Sequence, residues 1–283
     1  MTDPSAPPRL SPEFMTRSLA HRGLHDLAAS RPENSLAAIR AAVEAGFGIE
    51  VDVQPSSDGR AMVFHDNLLD RMTDGTGPIS AVDAQALARL RIAGTDERIP
   101  TLAQVLATVA GRVPLLIEIK DQDGGLGPGN GAGTGARARG GALERAVAGD
   151  LAGYDGPVAV MSFNPHSMAW MAELAPNVPR GLVTCGFEQA DWPGVDQTTL
   201  VALRDIPDLH RVGGSFISHD ARDLSAATVA RLAEAGHDVL CWTIRSADDE
   251  ALARKYARNV TFEGYIPAIL PVQPETFGPG GGT

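Results

Sequence analysis

Short apolar runs alternate with amphipathic stretches along nearly the whole chain, and this order restricts the fold more than any other feature. Strands separated by helix-length segments pair in parallel through crossover connections. The runs lie at 18–23 (SLAHRG), 48–54 (GIEVDVQ), 114–120 (PLLIEIK), 158–163 (VAVMSF), 180–185, 214–218, 237–244 and 259–266. Helical spacing of apolar residues falls between them, at 34–46, 102–110, 142–151, 166–175, 198–204, 226–235 and 248–257. Residues 61–66 (AMVFHD) follow the second run across the turn signal SSDG and read as its extension or hairpin partner. Eight main strands over about 250 residues fit a TIM-type (β/α)8 barrel better than an open doubly wound sheet. The first strand is also followed by His21-Arg22-Gly23, not by the G-x-G-x-x-G turn of dinucleotide-binding sheets.

Residues 67–99 break the alternation and read as a small insertion after the second strand region. One barrel domain is expected over 15–270, with 1–14 and 271–283 as flexible termini. The Gly-rich stretch 124–141 lacks the Gly-Lys-Ser/Thr ending of a phosphate-binding loop and reads as a flexible connection. Lys plus Arg number 24 against 35 Asp plus Glu, a formal charge of −11. That balance excludes a nucleic-acid or anionic-membrane surface held by bulk positive charge, so an anionic ligand must meet a local cation. Cys185 and Cys241 lie within apolar runs, at no metal-knuckle spacing, and read as reduced, inert packing. The N-terminus has neither a basic start nor an apolar core, and no run approaches the roughly 20 apolar residues of a membrane span. Cytoplasmic residence without stable membrane insertion is expected, and subunit number is not legible.

Side chains alternate along a strand, so Glu50 and Asp52 face one way while Ile49, Val51 and Val53 face the other. Glu118 and Lys120 repeat this on the next major strand. Buried carboxylates need a cation, a metal or a proton. Oxygen donors alone suit one hard divalent ion, Mg2+ or Ca2+, rather than zinc. A salt-bridged barrel interior is the structural alternative. His21 and His65 close strand-like runs, where barrel enzymes carry catalytic groups, and imidazole both gives and takes protons near neutral pH. Two structural histidines would look the same in sequence. Arg22 suits bidentate phosphate binding, or an ion pair with an acid such as Glu33. Lys120 is read as a phosphate-binding lysine, because the anion at Glu118 opposes the neutral amine that Schiff-base chemistry requires.

Taken in order, His21-Arg22-Gly23, Pro32-Glu33-Asn34-Ser35, Ile49-Glu50-Val51-Asp52-Val53, Asp58-Gly59, Val63-Phe64-His65-Asp66 with Leu69-Asp70-Arg71, Ile99-Pro100-Thr101-Leu102 and Leu116-Ile117-Glu118-Ile119-Lys120 resemble the motifs of glycerophosphodiester phosphodiesterases. The resemblance is sharp over 20–120 and looser through Trp242-Thr243-Ile244. It implies a TIM-type barrel with an insertion after His65. It further implies metal ligation by Glu50, Asp52 and Glu118, an acid/base pair of His21 and His65, and substrate-phosphate contacts from Arg22 and Lys120. Trp242 resembles the family's aromatic near the site mouth, with barrel packing as the other reading. The implied activity is metal-dependent hydrolysis of a small glycerophosphodiester to an alcohol and sn-glycerol 3-phosphate, by direct water attack or through a cyclic phosphate. Residues 261–267 (TFEGYIP) depart from the usual Thr/Ser-Asp-x-Pro ending. Two alternatives accompany this reading. One is a phospholipase D acting on lysophospholipid or sphingomyelin-type lipids, which would want an apolar rim. The other is a phosphodiester-binding barrel without turnover, which would not need two histidines.

Overall fold

Eight parallel strands close on themselves, and a ninth extends the wall at one point. The computed structural model describes residues 7–121, 126 and 141–268. Its strands are β1 (Leu19–Ala20), β2 (Gly48–Pro55), β3 (Ala61–Val63), β4 (Leu115–Ile119), β5 (Val158–Ser162), β6 (Arg180–Thr184), β7 (Phe216–Asp220), β8 (Asp238–Ile244) and β9 (Asn259–Phe262). Each of the eight barrel strands pairs in parallel with its neighbours, and β1 closes the ring by pairing with both β2 and β9. The antiparallel β3 is the hairpin partner of β2, across the 56–59 turn.

Local chemistry sets the crossover helices. Helix Leu36–Ala45 starts where the Ser35 side chain accepts from the Ala38 N–H, and it stops at Gly46 in the left-handed region (φ 79°). Helix Leu102–Val109 opens with a reciprocal capping box between Thr101 and Gln104. The buried faces of these helices pack on the outward residues of the strands, forming one continuous core that includes Ile39, Val51, Val105, Ile117 and Val239. Inside the barrel a second layer of Leu19, Leu116, Ala159, Met161, Val183, Phe216 and Leu240 fills the space. Gly181 admits Phe216 there, since a Cβ on Gly181 would lie 2.5 Å from the Phe216 ring.

Several boundaries differ from the sequence reading. Part of the N-terminal segment expected to be flexible is packed. Leu10 and Phe14 join the inner barrel layer, the latter fully buried on the short helix Glu13–Thr16. Asn259 Nδ2 donates to the carbonyls of Phe14 and Arg17, both at 2.7 Å, so this segment closes the end of the barrel where the strands begin. The sixth main strand, β7, runs 216–220 rather than 214–218, because Gly213 (φ 59°) and Gly214 form the turn before it. The last strand ends at Phe262 rather than residue 266, and the first covers only Leu19–Ala20. The insertion at 67–99 holds its own small core of Leu69, Ile79, Leu87, Ile92 and Ile99 against Met62 and Phe64. Its regular structure is limited to Ile79–Ala81 and Ala84–Leu87. Both cysteines are buried and free, and burial pushes the Cys241 thiol up to about 12. The tail 271–283 and the Gly-rich stretch, apart from Leu126 and Gly141, lie outside the described residues.

Candidate active site

The inward side chains at the carboxyl ends of β2 and β4 meet. One ligand atom from each of Glu50, Asp52 and Glu118 lies within 4.8 Å of the others, and all three residues are buried. The strand register produces this, since Asp52 pairs with Glu118 across the β2–β4 ladder. Lys120 follows on the same face, with Nζ 2.8 Å from Glu118 Oε1 and 3.4 Å from Asp52 Oδ1. Asn34 Nδ2 donates to Asp52 Oδ2 at 3.0 Å.

The turn after β1 brings a backbone donor to this cluster. Arg22 (φ 55°) and Gly23 (φ 80°) are both left-handed, and the Arg22 N–H donates to Glu50 Oε2 at 3.0 Å. A Cβ on Gly23 would lie 2.9 Å from Ala38 Cβ, so a side chain at this bend would displace the following helix. The Arg22 guanidinium bonds Glu33 Oε1 at 2.8 Å, and its Nε is 3.4 Å from Asp52 Oδ2. The structure thus shows the ion pair with Glu33, and the same guanidinium also lies beside Asp52 of the carboxylate cluster.

His21 follows β1 and His65 follows β3, two strands that both pair with the edge of β2 away from β4. His21 Nε2 is 4.0 Å from Glu50 Oε2, and Nδ1 is 2.6 Å from Glu263 Oε2. His65 Nδ1 is 2.7 Å from Asp66 Oδ1, and Arg71 ties Asp66 to Glu33. Asp66 and Glu33 are held below the usual carboxylate range. Burial opposes this as the largest single influence, but Arg71 together with His65 at Asp66 and Arg22 at Glu33 outweighs it.

The cluster is short of positive charge. Burial first, and then Asp52 and Glu118, push the Glu50 carboxyl well above the usual range. Asp52 goes the other way despite its burial, held low by Lys120, His65 and Arg22. Burial would depress the Lys120 ammonium, but Glu118 and Asp52 raise it, so it stays charged. Three buried oxygen donors, one of them ill-accommodated as an anion, fit a hard divalent cation that completes the neutralisation.

A cavity of about 550 Å3 opens from Glu118 and Lys120, bounded by His65, Asp66, Phe163 and Trp192. Trp192 and Trp242 pack edge-on against Phe163 with centroids at 5.1 and 5.7 Å, and Phe187 adjoins the group. Trp242 donates its indole N–H to the Ser218 carbonyl at 3.0 Å. This is the barrel-packing reading: Trp242 packs on the inner layer and behind Phe163, which lines the cavity.

The model of the glycerophosphoryl diester phosphodiesterase family matches residues 21–260. The chain belongs to this family. Relatives include human glycerophosphodiester phosphodiesterase 1, 43% identical over 35% of this chain and 31% of that protein. The chain thus spans about a third of the length of the mammalian relatives it matches. Bacillus subtilis YhdW is 26% identical over 81% of this chain and 86% of its own length. A glycerophosphodiester phosphodiesterase of Caldanaerobacter subterraneus is 32% identical, over 61% of this chain and 68% of that protein. Among solved structures, an Oleispira antarctica phosphodiesterase in complex with the product sn-glycerol-3-phosphate superposes with TM-score 0.68 at 23% identity, covering 87% of this chain and 92% of that one. A Thermotoga maritima glycerophosphodiester phosphodiesterase gives 0.62 at 20%, covering 86% and 92%. This likeness shows the TIM barrel fold.

In this phosphodiesterase-family barrel, the sequence reading of the site was incomplete at two places. Glu263 was seen only as part of a departure from the usual ending, yet it bonds His21. Its hydrogen bond with His21, with His25 and the Arg245 guanidinium also close by, holds its carboxyl far below the usual range. Trp192 and Phe163 were not singled out. Phe163 ends an inward-facing alternation through Ala159 and Met161 and was legible in that sense. Trp192, on the long connection after β6, carried no periodic signal.

Proposed function

We propose that the protein hydrolyses glycerophosphodiesters, with a divalent cation, to an alcohol and sn-glycerol 3-phosphate. The single observation that carries this reading is the buried meeting of Glu50, Asp52 and Glu118, with a histidine just beyond each of two strands, β1 and β3, that pair with β2. Those three carboxylates would hold the cation, Mg2+ or Ca2+ by the hardness of the donors. When bound, such an ion neutralises phosphate charge and polarises phosphorus toward attack. Lys120 and Arg22 supply the remaining positive charge for the phosphodiester oxygens, with Arg22 exchanging part of its Glu33 contact for the ligand. His21 and His65 divide the proton work. One imidazole takes a proton from the nucleophile, water or a neighbouring substrate hydroxyl, and the other delivers one to the departing alkoxide. Family membership and the product named for the Oleispira structure support the substrate class.

Metal-stripped protein assayed on a panel of glycerophosphodiesters, with Mg2+, Ca2+, Mn2+ or Zn2+ restored singly, tests the reading. Turnover should return with at least one ion and be lost in Glu50→Gln and His21→Ala, with the circular-dichroism melt of His21→Ala little changed. No turnover with any ion, or activity surviving in both variants, removes the assignment. The aromatic wall of Phe163, Trp192 and Trp242 supports a second reading, hydrolysis of an amphiphilic lysophospholipid. Glycerophosphocholine and lysophosphatidylcholine, assayed side by side, separate the two. Among the described residues no helix is long and apolar enough to cross a membrane.

A further inference from the structure

Barrel closure places an acid beside the first histidine. In the β1–β9 ladder Leu19 pairs with Thr261 and Ala20 with Phe262. The next positions, His21 and Glu263, therefore stand opposite one another, and the His21 N–H donates to the Phe262 carbonyl at 2.9 Å. Neighbours in parallel register share a face. Glu263 Oε2 accordingly reaches His21 Nδ1 at 2.6 Å, with His25 Nε2 at 3.8 Å from the same oxygen. The other carboxylate oxygen, Oε1, is 2.6 Å from an Arg245 guanidinium nitrogen supplied from just beyond β8. The carboxylate is thus anchored on one side by an arginine and presents its free side to the imidazole. On the far side of the ring, Nε2 points to Glu50 Oε2, 4.0 Å away.

We propose that Glu263 is a positioning residue for His21, accepting the Nδ1 proton and so fixing the tautomer whose Nε2 lone pair faces the carboxylate cluster. This rests on the acid/base role given to His21 above. An ionised carboxylate only accepts, so a neutral ring beside it must carry its hydrogen on Nδ1. Nε2 is then left bare on the side where a nucleophile's proton has to be collected. A rim ion pair between Glu263 and Arg245 with no functional consequence is the competing account. It predicts a change in stability at most.

Glu263→Gln distinguishes them with little change of volume. Arg245 donates to the amide oxygen, which turns the amide NH2 toward His21 Nδ1, and that nitrogen must then accept and carry no hydrogen. The ring is forced into the other tautomer. With Mg2+-loaded or Ca2+-loaded full-length protein, kcat on glycerophosphocholine should fall by about 10²–10⁴-fold, the usual contribution of one acid/base group, with KM little changed. Glu263→Asp, which retains the charge at shorter reach, should recover part of the loss. Nitrogen-15 correlation spectra of the ring, assigned with His21→Asn, should show bare Nε2 in the wild type and bare Nδ1 in Glu263→Gln. An unchanged tautomer, or a switched tautomer with kcat intact, overturns the proposal. If the wild type hydrolyses none of the diesters, the functional reading fails by itself, and the ring spectra still decide whether Glu263 sets the tautomer.

Discussion

In chelator-treated protein, Glu50→Gln should abolish a pH dependence of stability that the wild type shows. Glu50 is 2% exposed, and its carboxyl is raised by burial and by two neighbouring anions. A carboxyl whose folded pKa exceeds its unfolded value keeps its proton in the native state after the unfolded chain has released it. The native state then binds more protons. The stabilisation is fully present below the ordinary value of 4.5 and is lost as pH rises toward the folded value. One proton sets the ceiling at about 1.4 kcal/mol per pH unit. Between pH 5.5 and 7.5 this amounts to about 2.7 kcal/mol at most, or roughly 5–11 °C of melting temperature for a barrel of this size. Burial lowers His21 and His219, which therefore act with the opposite sign, losing stability on acidification. The difference between wild type and variant removes their shared contribution. Thermal unfolding in chelator at the two pH values, followed by circular dichroism, measures it. The wild type should lose ground to Glu50→Gln at the higher pH. Adding the divalent ion at about 100 times its Kd should restore about 2.7 kcal/mol to the wild type and less to the variant. Parallel pH curves for the two proteins would refute the reasoning.

Phe14→Ala should destabilise by about 3–5 kcal/mol, the usual cost of emptying a fully buried aromatic site, with kcat unchanged because the plug sits at the opposite end of the barrel from the carboxylates. Denaturant melts beside turnover numbers check this, and a near-native midpoint would mean that the segment does not seal the barrel. Gly23→Ala should cost about 1–2 kcal/mol for a left-handed alanine, plus about 1–3 kcal/mol for crowding Ala38. Turnover should fall with it, as the Arg22 N–H moves off Glu50. A variant with native melting and native kcat would show that the bend is not required.

The site was legible in the sequence wherever its geometry is local. Glu50 with Asp52, and Glu118 with Lys120, share a face because strand side chains alternate with a period of two. That rule needs no knowledge of the neighbouring strand. The bend at His21-Arg22-Gly23 was likewise visible as a glycine directly after a strand. Strand ends were less legible. The 214–218 run was displaced because Gly214 and Ser215, which adjoin the apolar Phe216-Ile217 pair, belong to the turn in the structure, while the polar His219 and Asp220 remain in the sheet. The terminus before residue 15 looked unstructured because Pro-rich composition does not reveal that one phenylalanine will meet the open end of a barrel.

Taken alone, the order of residues determined the parallel architecture, the carboxylates sharing one strand face and the pair of histidines near strand ends, since each follows from spacing along the chain. Closure decided the rest. The contact between His21 and Glu263 joins positions 242 residues apart, and no local pattern encodes it. It exists because the first and last strands pair, and the register of that pairing selects the side chain that meets the imidazole. Trp192 reaches the mouth in the same way, through packing on Phe163, and only a folded barrel turns such distant residues into one site.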